Sequence, residues 1–160
     1  MNRLFTYLLA TLMCLVAFME FVQVGARYVF EVPLMGLEEL LVYPALWLYF
    51  LGSVNASRED TQIKANVLDV FLKTERSKLV IRVIADCMSI VVSLWLTWYA
   101  WEYLLYALRV WKDSPTLYLP MFYAECSMFV GLMLMSLYVA AYLVKNTRSL
   151  LTFSKTEQGV

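Results

Sequence analysis

Several ionisable side chains of this sequence lie inside long apolar segments, where hydrocarbon would offer them neither water nor counterions. Glu20, Gln23 and Arg27 are spaced by three and four residues, so a helix places them on one face. An ionisable group within a membrane span costs a few kcal/mol and therefore faces protein or water. Two interpretations fit this face: an ion or proton site at Glu20, or a polar stripe that joins the helix to a neighbour.

A second acidic group follows a short turn that contains proline and glycine. Glu38 and Glu39 begin the next apolar segment, and negative charge suits the N-terminus of a helix because the backbone dipole favours it there. Arg27 lies on the other side of the turn, and Glu125 lies near the start of the last apolar segment. The sequence leaves open whether Arg27 pairs with Glu38, Glu39 or Glu125.

Two further patterns concern contacts between helices. Asp86 begins a polar stripe that Ser89, Ser93 and Thr97 continue, and such a stripe either lines a path or forms a seam with another helix. Small residues near the end of the second apolar segment form small-xxx-small pairs, which allow helices to approach closely. These candidate packing residues are Gly52, Ser53 and Ala56.

Composition and run length define the elements that position these groups. The chain has 160 residues, of which 62% are hydrophobic, well above the roughly 45–50% of a soluble domain. A membrane-spanning helix needs roughly 20 apolar residues, and strand-like alternation is absent. We therefore predict an all-α membrane protein with a single domain. The four predicted transmembrane helices cover residues 4–28, 37–56, 79–108 and 119–144.

The distribution of positive charge predicts the orientation. The net charge is zero, but all 13 Lys and Arg residues except Arg27, Arg109 and Lys112 lie near the termini or in the middle segment. The positive-inside rule therefore places both termini and the middle segment in the cytoplasm. Polar and apolar residues of 63–73 fall on opposite sides of a helix, so we expect an amphipathic helix in contact with lipids along the cytoplasmic interface. A soluble hairpin packed on a partner is the alternative. We expect residues 148–160 to form a flexible polar tail.

Several classes of chemistry lack their usual residues. The sequence contains no histidine, which removes bis-histidine haem, most zinc sites and histidine acid–base catalysis. The three cysteines lie within predicted spans, and neither a Cys-x-x-Cys motif nor a glycine-rich phosphate loop occurs. We therefore predict that the protein is not an enzyme and that it uses no catalytic residue, metal, cofactor or nucleic acid.

Several short motifs are spread along the chain: Arg27-Tyr28-Val29-Phe30, Glu38-Glu39, Leu51-Gly52, Arg58 with Gln62-Ile63-Lys64, and Ser114-Pro115 with Leu119-Pro120. Together with the chain length, the four spans and the cytoplasmic termini, these motifs resemble the DctQ-like family, the small membrane subunit of tripartite ATP-independent periplasmic (TRAP) transporters. The sequence departs from that family at Gln62 and Asn66, where the family often has histidine and aspartate.

The resemblance implies a place in a larger transporter. The family's small subunit lies beside a large multi-span subunit that holds the substrate and sodium sites, and a soluble periplasmic protein delivers an organic acid such as a carboxylate or a sialic acid-like compound. The resemblance therefore implies a non-catalytic scaffold in the bacterial inner membrane. This scaffold would brace the large subunit and contribute to docking of the periplasmic protein.

Two alternatives use the same residues differently. A self-contained proton-coupled exporter would use Glu20 as its coupling site, as a single carboxylate in the first span does in small multidrug exporters. A membrane anchor for a redox enzyme is the other alternative, and the lack of histidine disfavours its haem-bearing form.

Overall fold

The computed structural model describes residues 2–31, 34–58 and 75–158, with side chains described for residues 3–31, 34–58 and 80–149. The described residues form α-helices, with irregular segments at residues 29–31, 34 and 111–121. The predicted amphipathic helix at 63–73 lies outside the described residues. The four helices are α1 (Asn2–Tyr28), α2 (Met35–Arg58), α3 (Glu75–Val110) and α4 (Phe122–Gln158).

All four helices are long and apolar enough to cross a membrane, which confirms the predicted all-α, four-span fold. Each helix begins or ends within a few residues of the predicted span, except at the end of α4. Residues 148–158, for which the sequence predicts a flexible tail, continue α4 as helix. The reason is local, because neither glycine nor proline interrupts the sequence between residues 132 and 158.

The helices pack side by side in the spatial order α1–α2–α4–α3. Extensive contacts join α1 to α2, α2 to α4 and α4 to α3, and no other pair among the described helices packs extensively. The result is an open row with α1 and α3 at its two edges. We name its ends by the residues they carry: the connector end holds residues 29–31, 34 and 111–121, and the terminal end holds residues 3–9 and 142–149.

The interior of the row contains small side chains. The buried apolar residues are Val54, Ala100, Ala107 and Ala124, while most large apolar side chains of the spans are exposed. This pattern suits a lipid solvent, in which small residues allow helices to approach and large apolar residues face the acyl chains. Buried polar residues accompany the small ones: Ser57, Asp86, Ser114, Ser127 and Ser136.

Among the described glycines, the one in tightest contact with another helix lies outside the predicted packing set. A Cβ atom at Gly131 of α4 would lie 2.7 Å from the Cβ atom of Phe50 on α2, whereas a Cβ atom at Gly52 would meet nothing within 4 Å. Ser53 donates a hydrogen bond to the Tyr49 carbonyl oxygen of its own helix, and Ala56 is half-buried. The α2–α4 contact therefore depends on Gly131.

Polar groups near the middle of the two helices join α3 to α4. The Ser136 hydroxyl of α4 forms hydrogen bonds with the hydroxyls of Ser93 and Thr97 on α3. Nearer the terminal end, the Asn146 side chain donates a 2.5 Å hydrogen bond to the buried Asp86 carboxylate. Three of the four residues in the predicted stripe thus contribute to a seam between helices, and the fourth, Ser89, is exposed.

Candidate functional site

The segment between α3 and α4 is an ordered loop at residues 111–121. The Ser114 N–H donates to the Leu119 carbonyl oxygen at 2.9 Å, and the Met121 N–H donates to the Lys112 carbonyl oxygen at 2.9 Å. These bonds pair Asp113 with Pro120 in antiparallel fashion. The loop therefore holds its own shape through backbone hydrogen bonds.

Two residues of the loop adopt left-handed backbone conformations without being glycine. Trp111 has a φ of 45° where α3 ends, and Tyr118 has a φ of 53°. Such conformations are unfavourable for residues with side chains and persist where surrounding contacts hold them. The Trp111 ring stacks on Phe122 at a centroid distance of 5.6 Å, and the Tyr118 N–H donates to the Ser114 carbonyl oxygen.

Glu39 of α2 fastens this loop to the neighbouring helix. Its carboxylate accepts hydrogen bonds from the hydroxyls of Ser114 and Thr116. The backbone N–H groups of Thr116 and Leu117 also donate to it, at distances of 3.0–3.1 Å. A carboxylate offers about four lone-pair sites, and this geometry fills them with donors from one loop.

Glu39 belongs to a stripe that continues along α2 toward the middle of the helix. The Tyr43 hydroxyl donates to the Leu119 carbonyl oxygen at 3.1 Å, and the Trp47 indole N–H donates to the Tyr123 carbonyl oxygen at 3.0 Å. Spacings of four residues place all three side chains on one helical face. We call this set the Glu39 latch; it consists of Glu39, Tyr43 and Trp47 on α2 with Ser114, Thr116, Leu117, Leu119 and Tyr123 as partners.

Two further carboxylates near the connector end, Glu38 and Glu125, also have partners other than Arg27. The Gln23 side chain donates to Glu38 at 2.8 Å and so joins α1 to α2. The Tyr103 hydroxyl of α3 donates to Glu125 of α4 at 2.8 Å. Within the described residues, Arg27 is exposed and forms no ion pair with either of these carboxylates or with Glu39.

Glu20 differs from these carboxylates because nothing in the described chain contacts it through a hydrogen bond or ion pair. It is exposed on α1, at the edge of the row. It lies eight residues before the end of α1 at Tyr28, which is about 12 Å along the helix axis. The three residues of the predicted face therefore differ in their contacts. Gln23 contacts α2, while Glu20 and Arg27 have no hydrogen-bond or ion-pair partner among the described residues.

The terminal end has polar contacts of its own. The Tyr142 hydroxyl of α4 donates to the Arg58 carbonyl oxygen at 2.6 Å, which joins α4 to the end of α2. The Arg58 guanidinium lies over the Phe5 ring of α1 at 5.3 Å from the ring centroid. Arg58 thus connects three helices at this end, as Glu39 connects α2 to the loop at the other.

Sequence reasoning identified Glu39 but missed its partners. Ser114 and Thr116 carry no signal by type alone, because hydroxyl residues are common in loops. The spacing of Glu39, Tyr43 and Trp47 at intervals of four was visible and would have indicated a polar-tipped face on α2. Gly131 was equally visible as an isolated glycine within an apolar run.

The polar groups of this chain hold helices together, and their arrangement offers little for reaction chemistry. Across residues 2–31, 34–58 and 75–158, no three His, Cys, Asp or Glu side chains lie close enough to hold a metal ion. Five of the seven predicted polar residues form hydrogen bonds between elements. The two exceptions, Glu20 and Arg27, lie on the exposed surface of α1.

Comparison with known proteins agrees with this arrangement. No curated protein matches the chain. A family model described as the DctQ component of tripartite ATP-independent periplasmic transporters matches residues 13–149, which include most of α1, all of α2 and α3, and most of α4. This match covers far more than half of the chain. The chain therefore belongs to the DctQ family, the small membrane component of TRAP transporters, and is a multi-pass membrane protein.

Proposed function

We propose that the chain is a non-catalytic scaffold that braces the large membrane subunit of its transporter during uptake. The observation that carries this proposal is the Glu39 latch. Its carboxylate, tyrosine and tryptophan side chains on α2 all form hydrogen bonds to the loop and to the start of α4. A group that must bind and release cargo needs free coordination sites, and Glu39 has none. Its role is therefore mechanical.

The shape of the row supports the same role. Helices packed side by side in an open row leave most large apolar side chains exposed, so the row offers broad apolar surfaces to a partner. The polar contacts lie at both ends and along the α3–α4 seam, so they resist separation of the helices at several depths. A partner that moves against this row would meet a surface that keeps its shape.

The connector end supplies a candidate docking surface for the transporter's substrate-binding protein. The loop 111–121 exposes Tyr118 at 78%, and the turn after α1 exposes Phe30 at 74%. The latch holds the loop in one conformation, which lowers the entropy lost when a partner binds. The positive-inside rule supports an orientation with this end outside the cytoplasm and both termini inside, in the bacterial inner membrane.

The cargo belongs to the assembled transporter in this proposal. Family membership implies partnership with a large membrane subunit and a substrate-binding protein. We propose sodium-coupled uptake of an organic acid, either a carboxylate or a sialic acid-like compound, with the substrate and sodium sites on the large subunit.

Reconstitution into liposomes tests the proposal. Vesicles with both membrane subunits and the loaded periplasmic protein should take up the acid when a sodium gradient is imposed. Vesicles with the large subunit alone, or with this chain alone, should not. Uptake that is unchanged without this chain would contradict the scaffold role, and transport by this chain alone would favour the exporter hypothesis.

A further inference from the structure

Helix α1 carries two parallel seams, and the rest of the chain covers one of them. The first seam faces α2: its residues are half-buried, Gln23 contacts Glu38, and Phe5 contacts Arg58. Alternating intervals of three and four residues are the pattern by which one helix packs along another. The residues of the first seam are Phe5, Leu9, Leu12, Val16, Met19 and Gln23.

The second seam has the same alternation of intervals but is open. All of its residues are exposed in the structure, and two of them are alanines seven residues apart, which would allow another backbone to approach closely. It lies about a quarter-turn around α1 from the first seam, on the flank of the row. The residues of the second seam are Ala10, Met13, Ala17, Glu20, Val24 and Arg27.

The two charges of the second seam are uncompensated. Within the described residues, neither Glu20 nor Arg27 has a hydrogen-bond or ion-pair partner. Seven residues separate them, about 10 Å along the axis, whereas side chains of one helix pair at three or four residues. Ionisable groups in spans face protein or water and pair with one another. Partners for these charges must therefore be water or groups outside the described residues.

We propose that the second seam of α1 is the face that binds the large membrane subunit. The occupant is a transmembrane helix of that subunit, with a cation or hydrogen-bond donor opposite Glu20 and an acceptor opposite Arg27. The inference rests on the proposed function for the identity of the partner. The alternation of intervals predicts a left-handed crossing of about 20° between the two helices.

Other occupants and other faces fit less well. A second copy of this chain in the same membrane orientation would place Glu20 against Glu20 across a two-fold axis, which sets like charges together. The groove between α3 and α4 is lined by apolar side chains such as Met88, Val92 and Leu132, with only Ser89 and Ser93 as polar lining residues. Lipid acyl chains can fill such an apolar groove, so it does not require a protein partner.

Site-specific photocrosslinking in membranes that contain both subunits tests the proposal. A photoreactive residue replaces Met13 in the second seam, or Val91 on α3 as a control; these side chains are 62% and 67% exposed, respectively. We expect the Met13 variant to crosslink to the large subunit and the Val91 variant not to. Crosslinking from Val91 and not from Met13, or crosslinking of Met13 to a second copy of this chain, would overturn the proposal.

A charge variant provides a second measurement. Glu20→Leu should weaken co-purification of the large subunit by about threefold to tenfold, the effect of one or two lost interhelical hydrogen bonds. Glu20→Gln should retain more of it, because the amide oxygen still accepts. Glu102→Leu is the control, since Glu102 is an exposed glutamate of α3 whose partner, Trp98, lies on the same helix. Equal loss from Glu20→Leu and Glu102→Leu would contradict the assignment of the face.

Uptake assays separate failure of this inference from failure of the proposed function. If uptake requires the chain but Met13 does not crosslink to the large subunit, the scaffold role stands and the interface lies elsewhere. If Met13 crosslinks to the large subunit but uptake proceeds without the chain, the interface stands and the scaffold role falls.

Discussion

Glu39 and Glu20 are glutamates of neighbouring apolar helices, yet their surroundings are opposite. Glu39 accepts hydrogen bonds from two hydroxyls and two backbone N–H groups of one loop. Glu20 is exposed on α1 and has no partner in the described chain. The comparison separates polar groups that the chain uses for its own fold from groups that it presents to a partner.

The same distinction applies to the glycines of the α2–α4 region. Gly131 is in tight contact with Phe50, while Gly52 has open space around it. Substitutions at satisfied positions should therefore destabilise the isolated chain, and substitutions at open positions should affect only its assembly.

Removal of the latch carboxylate should have the largest effect. Glu39→Ala leaves the donors of Ser114, Thr116 and Leu117 without their acceptor, so the apparent Tm of the detergent-solubilised chain should fall more than in any variant below. The apparent Tm of Glu39→Gln should fall less, because the amide oxygen still accepts hydrogen bonds while the amide N–H₂ group faces other donors. A Tm unchanged by Glu39→Ala would show that the loop is held by other contacts.

Overpacking at the α2–α4 contact should have the second-largest effect on stability. Gly131→Leu should destabilise the chain by about 1–3 kcal/mol, because its Cβ atom would meet the Phe50 side chain. Gly52→Leu is the matched control and should cost nothing in the isolated chain, since its Cβ atom meets no neighbour. Equal losses at the two glycines, measured by thermal unfolding, would refute the assigned contact.

Loss of a hydroxyl in the α3–α4 seam should have a smaller effect. Ser136→Ala removes the partner of Ser93 and Thr97 and should cost about 0.6 kcal/mol, the average for a hydrogen bond between membrane helices. Ser89→Ala, at an exposed position of the same stripe, should leave stability unchanged. A greater loss of stability from Ser89→Ala than from Ser136→Ala would show that another face of α3 contacts α4.

Substitution at the open position should have the smallest effect on the isolated chain. Glu20→Leu removes no contact of the described residues, so its thermal unfolding should match that of the parent or occur at a higher temperature. Its effect should appear only in the presence of the large subunit. A marked loss of stability in the isolated chain would mean that Glu20 has a partner within it.

The fold was predictable because each helix is indicated by a long run of apolar residues, all of which contribute to the same pattern. Runs of apolar residues define the four helices, and the distances between their predicted and observed ends are small apart from the extension of α4 to Gln158. The sequence also supplied the spacing that joins Gln23 to the α1–α2 contact and the stripe that joins Ser93 and Thr97 to α4.

The partners within the site were not predictable in the same way. Opposite charge left it open whether Arg27 pairs with Glu38, Glu39 or Glu125. The pairing depends on which helix face meets which loop, and the loop 111–121 lies more than 70 residues from Glu39 in the chain. Backbone N–H groups of Thr116 and Leu117 carry no sequence signature, so their role as donors required the structure.

We propose that the chain acts as a rigid body whose loop and helices stay joined while another subunit moves. The direct measurement uses a chain whose native cysteines are replaced, with cysteines at positions 39 and 116 joined by a short thiol-specific crosslinker, in liposomes with the large subunit and the loaded periplasmic protein. We expect uptake to be lost in the uncrosslinked double variant and restored by the crosslink. Uptake that persists in the uncrosslinked variant and is abolished by the crosslink would show that the loop must separate from α2 during transport, and the scaffold would then not be rigid.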